Sequence, residues 1–120
     1  MFQVRDDHMK AFGQTAEDNF VDRAVQHLRR RLPRETANHN DDELRARVRG
    51  GMKRAQTYGL ITERQILCFV DTGVLLHEGF DTDPAYPWAG QILGAREASA
   101  EVRATSILDV AEVIARGNEA

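Results

Sequence analysis

The 120-residue chain has one cysteine, three prolines and no long uninterrupted apolar run, and each scarcity removes a class of protein. A single thiol, Cys68, cannot build an intramolecular disulfide framework, which fits a reducing compartment. The longest apolar run, ILCFVDTGVLL, is broken by Asp71 and is shorter than the roughly 20 residues that cross a bilayer. The first ten residues, MFQVRDDHMK, lack the apolar centre of a signal peptide. No glycine-rich phosphate loop, serine elbow or HExxH pair occurs. A net charge of only −3 gives no global basic bias toward nucleic acid and no strongly acidic, disordered character. The expectation is a soluble cytoplasmic protein that is not an enzyme and carries no cofactor.

What is present suffices for one core: 42% of the residues are hydrophobic, in a chain of single-domain length spanning 1–120. The small net charge conceals a division. Residues 23–64 hold eleven Lys/Arg against five Asp/Glu, and residues 65–120 hold three against nine. A basic part and an acidic part within one chain attract each other in the fold.

The periodicity is helical throughout. Met9, Phe12, Ala16, Phe20, Ala24 and Leu28 recur at helical spacing up to Pro33, which cannot extend the hydrogen-bond ladder. The RETANHN stretch after it reads as a polar turn. Asp41 or Asp42 then caps a second helix with Leu44, Val48, Met52 and Ala55 inward. Gly50-Gly51 inside this helix costs about 2 kcal/mol of propensity relative to alanine, which signals a kink or a close helix approach. Tyr58-Gly59 ends it, with glycine as a left-handed cap. Thr62-Glu63-Arg64-Gln65 is a capping box that starts a third helix, running to about Glu78. Here Ile66, Phe69, Val70, Gly73, Val74 and His77 form one face, while Leu67, Cys68 and Leu75 lie on another. A helix apolar nearly all round is buried by several neighbours, or by neighbours plus a partner. Pro87 opens a short helix to Leu93, and Ser99 caps a last one with Val102, Leu108, Ala111, Ile114 and Ala115 inward. No stretch alternates with a period of two. The expected fold is an all-α, single-domain bundle of about five helices around a central apolar helix near 63–78.

Few residues suggest chemistry. In GFDTDPAYPW, Asp81 and Asp83 offer hard oxygen ligands, but the calcium-loop pattern fails because Pro84 and Ala85 follow. Aspartate before proline is ordinary turn chemistry. His39-Asn40-Asp41-Asp42-Glu43 is explained by acidic residues at a helix start. His8, His27, His39 and His77 show no paired spacing, and Cys68 has no positive neighbour in its helix to lower its pKa. No metal site is expected. Arg30, Arg47, Lys53 and Arg54, within the basic 23–64 segment, offer an alternative nucleic-acid face of loosely helix-turn-helix form. Against it, the recognition helix would present Leu67, Cys68, Asp71 and Leu75 to the groove.

Three segments, FVDRAVQHLRRRLP, RGGMKRAQTYGLITERQILCFVDTGVLL and GFDTDPAYPWAGQIL, carry a likeness. They resemble a group of small bacterial proteins encoded beside type VI secretion spike, PAAR-tip, effector and adaptor-chaperone genes. The likeness covers residues 20–110. It implies an accessory, co-chaperone-like role in effector loading, docking on an adaptor chaperone, a spike-tip protein or the effector. A homodimeric bundle acting as an immunity or regulatory protein is the other reading of a surplus apolar face.

Aromatics concentrated at turns are the natural anchors for such a partner. Tyr58, Asp71, Phe80, Asp81, Asp83, Tyr86 and Trp88 are the candidate partner-binding residues. Tyr58 and Phe80 are expected at opposite ends of the central helix, with the 79–88 loop as the better single site. Its acidic pair would meet Arg or Lys of the partner, unless the carboxylates are internal and Trp88 merely plugs the end of the bundle.

Overall fold

The computed structural model describes the backbone of residues 6–119 and the side chains of residues 14–117. Six helices follow in order: α1 (Asp6–Arg31), α2 (Pro33–Thr36), α3 (Asp41–Thr57), α4 (Glu63–Leu75), α5 (Pro87–Leu93) and α6 (Ala100–Glu119). A 3₁₀ turn, Phe80–Thr82, lies between α4 and α5, and no strand occurs among the described residues. The expected all-α bundle is therefore what forms. Met9 and Phe12 of the first predicted stripe, like His8, lie outside the residues whose side chains are described.

α4 is the hub. It packs against α6 and α3 most extensively and also touches α1 and α2. Its Ile66, Cys68, Phe69, Val70 and Thr72 are all buried, so the helix is enclosed on more than one face. From α1 come Phe20, Val21, Ala24, Val25 and Leu28, and from α3 come Leu44, Val48, Met52 and Ala55. The approach of α3 to α4 depends on Gly51, where a Cβ would lie 2.8 Å from Cγ2 of Val70. Gly59 has φ +80° and so reverses the chain where a side chain would be strained.

Local chemistry fixes the helix boundaries. Thr62 and Gln65 form the expected capping box of α4, and Ser99 Oγ accepts the Val102 N–H at the start of α6. α3 departs from expectation: its cap is Asn40, reciprocated by Glu43, and Asp41 and Asp42 are already helical. Pro33 does end α1, because the residue before a proline is pushed out of the α region, but it also occupies the first turn of α2. RETANHN is thus partly helical. α4 stops at Leu75 instead of Glu78, and His77 belongs to the turn that follows, where its carbonyl accepts the Phe80 N–H. The stripe of α6 is partly as expected: Ala111 is buried and Leu108 packs against the core, but Val102 does not. Ala104, Ile107 and Ala111 face the core, while Val102 is 53% exposed, so small residues let α6 lie close on α4.

Candidate functional site

The 79–88 loop folds inward. After Leu76 the chain turns back along α4 and sets the Phe80 ring 5.0 Å from Phe69, whose other neighbour is Tyr58 at 6.0 Å. Tyr58 and Phe80 therefore share one ladder of rings and do not mark opposite ends of the helix. The same turn delivers Asp81 to the end of α3. Arg54 Nη2 donates to both of its oxygens at 2.7 and 2.8 Å, and the Tyr58 hydroxyl donates at 2.6 Å. Burial, reinforced by this bond to the carboxylate, pushes the Tyr58 hydroxyl up to about 12. Asp83 is also bound within the protein. One oxygen accepts the Ala85 N–H and the other meets His77 Nε2, and the two interactions hold its carboxyl below the usual range.

These placements correct the expected partner-facing set. Asp71, Phe80 and Asp81 are buried, and the two carboxylates do not point outward to a partner's Arg or Lys. Tyr58, Asp83, Tyr86 and Trp88 are half-buried, with Tyr86 5.9 Å from both His77 and Trp88. Two of the four cations of the alternative nucleic-acid face are engaged within the protein. Arg47 donates to the Gly73 carbonyl and pairs with Glu78, and Arg54 is committed to Asp81. Arg30 and Lys53 stand exposed on two different helices, α1 and α3. α4, the helix that would have to enter a groove of DNA, packs against α1, α2, α3 and α6.

The second apolar face of α4 has a different surrounding. α1 and α6 lie on either side of it and leave a groove whose floor is Leu67, Cys68 and Leu75, all on the face read from the sequence. A cavity of about 490 Å³ opens over Leu67, Cys68 and Leu108, and another of about 410 Å³ over Leu75 and Ala115. Arg31 lines both. Its guanidinium reaches Asp71 at 3.7 Å and Glu112 at 2.5 Å, and so crosses the groove from α1 to α6. Asp71 is also held by His27 Nε2 at 2.9 and 3.0 Å, and Glu63 at the upper end takes a two-pronged bond from Arg23. The sequence pattern shows Leu67, Cys68 and Leu75 but not this bridge, because Arg31 and Glu112 are 81 residues apart in the chain.

Burial, with Asp71 nearby, pushes the Cys68 thiol up to about 11, so it stays protonated near neutrality. Among the described residues no three His, Cys, Asp or Glu side chains gather as metal ligands, and no helix is long and apolar enough to cross a membrane. Arg103, another residue the sequence did not single out, donates to the carbonyls of Tyr58 and Leu93 and so closes the C-terminal ends of α3 and α5 together. No family model, curated protein or solved structure matches this chain.

Proposed function

We propose that this chain is a non-catalytic protein-binding accessory that receives a partner in the groove over α4. The observation carrying the reading is that Leu67 and Leu75 of the central helix are only partly covered by the protein's own helices, although α4 is otherwise its most enclosed element. An apolar groove between two helices suits an amphipathic partner segment. The likeness to accessory proteins of type VI secretion suggests which partners to try: an adaptor chaperone, an effector or a spike-tip protein, met in the bacterial cytoplasm. The protonated thiol and the internally bound histidine favour binding over chemistry.

The test is co-expression with each neighbouring gene product in the native host, followed by size exclusion. A complex should form that Leu67→Lys abolishes while the melting temperature of the free protein stays within a few degrees. A complex unaffected by Leu67→Lys but lost on replacing Tyr86 and Trp88 would move the site to the loop. Retardation of DNA at physiological salt, lost in Arg30→Glu, would replace the reading with the nucleic-acid one.

A further inference from the structure

The groove has a polar centre and two apolar ends. Leu67, Asp71 and Leu75 are spaced four residues apart on α4, so the two leucines stand about 12 Å from each other along its axis. Between them sit Asp71, His27 and the Arg31 bridge to Glu112. Burial divides the charges by sign. Two carboxylates are sunk, Asp71 to 3% side-chain exposure and Glu63 to 11%, whereas Arg31 is 47% exposed and Arg64 75%. Arg116 is exposed at the far end of the same groove. Whatever enters meets Arg31 and Arg64 at the rim, each more exposed than the glutamate it pairs with, Glu112 at 29% and Glu101 at 45%.

Resting on the docking reading above, we propose that the groove's partner is an acidic amphipathic helix: two apolar anchors about two turns apart, seated over Leu67 and Leu75, with a carboxylate between them that takes Arg31 from Glu112. The spacing follows from i, i+4, i+7 geometry on the incoming helix, which places the carboxylate on the same face as both anchors. Arg31 already has two acidic partners on opposite sides of the groove, so exchanging one for an incoming carboxylate leaves the guanidinium paired. The displaced Glu112 is 29% exposed and regains water.

The experiment uses the full chain and alanine-based helical peptides of about 20 residues. One carries two leucines at this spacing with a glutamate between them. A second has lysine in place of the glutamate, and a third has the leucines scrambled. Binding is followed by amide chemical shifts. The glutamate peptide should perturb Leu67, Leu75, Leu108 and Ala115 and bind about tenfold more tightly than the lysine peptide. Arg31→Gln should erase that preference. Arg116→Glu, at an exposed position that does not hold the fold, should reduce it. No binding by the glutamate peptide, equal binding of the glutamate and lysine peptides, perturbation centred on Tyr86 and Trp88, or a groove protected by dimerisation overturns the proposal. If the co-expressed complex still depends on Leu67 while the acidic preference is missing, only this inference fails. If Leu67→Lys leaves that complex intact, the docking reading fails as well.

Discussion

Asp81 shows how much one carboxylate settles when it is buried. It receives hydrogen bonds from Arg54 and Tyr58, and it ties the turn after α4 to the end of α3. Removing it leaves Arg54 and the Tyr58 hydroxyl to find water at a partly sheltered site. Asp81→Ala should therefore cost about 2–3 kcal/mol in urea unfolding. A loss near zero would mean that the pair contributes nothing net. Tyr58 adds a pH signature with a definite sign. Its folded-state pKa of about 12 lies above the value of 10.0 for an unperturbed tyrosine, so its contribution is whole below pH 10 and fades as pH rises toward 12. Tyr58→Phe should flatten the alkaline fall of the melting temperature across that window, and an unchanged profile would dissociate Tyr58 from it. Cys68 makes a third case. With its thiol raised to about 11, alkylation by iodoacetamide at pH 8 should run roughly a hundredfold slower than that of free cysteine. The sequence marks Asp81 and Asp83 as either partner-facing or internal and does not decide between the two. Their partners Arg54, Tyr58 and His77 become neighbours only after the chain turns back at Leu76, and no local pattern encodes that return.

At the scale of elements, boundaries written in neighbouring residues are the legible ones. The Thr62–Gln65 box, the Ser99 cap and the left-handed Gly59 each depend on contacts within a few residues, and each is visible in the sequence. The start of α3 is less so, since Asn40, Asp41 and Asp42 are all acceptable caps and the choice turns on which one Glu43 reciprocates. The inward side of α6 is only partly legible: Ala111 and Leu108 are read correctly, but Ala104 and Ile107 are missed. Val102 and Val113 suit a core by composition, yet the helix lies close to α4 through Ala104 and Ala111 and leaves both valines exposed. Gly50-Gly51 tests the packing argument directly. At Gly50 a Cβ would find its nearest neighbour, the Glu78 carboxylate, at 3.8 Å, so Gly50→Ala should stabilise α3 by about 0.5–1 kcal/mol. At Gly51 the same Cβ collides with Val70, and the propensity gain is outweighed by a packing cost of about 1–3 kcal/mol. Opposite shifts of the melting temperature for the two alanines are expected; shifts of the same sign would mean that α3 and α4 are further apart than this packing requires.

Across the whole molecule, the division of charge along the sequence becomes the way its helices are held together. Arg31–Glu112, Arg47–Glu78, Arg54–Asp81 and Arg64–Glu101 each join the basic 23–64 segment to the acidic 65–120 segment. Arg45 and Arg49 extend the pattern to Asp22, Glu17 and Asp18 of α1. An exposed pair contributes at most about 1 kcal/mol, but pairs that all join separate elements act in the same direction. Near neutrality the attraction between segments favours the fold, so added salt should lower the melting temperature slightly. Acid reverses the balance. Asp83 and Asp41 have folded-state pKa values below the ordinary carboxylate value, so their stabilisation is present above about pH 4 and is lost as pH falls through the lower folded values. What remains at pH 3 is a chain whose 16 Lys/Arg are no longer balanced by carboxylates and repel one another. Screening then relieves repulsion instead of weakening attraction, and sodium chloride should raise the melting temperature at pH 3. The prediction is this change of sign between pH 7 and pH 3, measured in thermal melts at low and high salt. Salt stabilisation at both pH values would show that the segments carry no net attraction, and that apolar contacts around α4 alone hold the bundle.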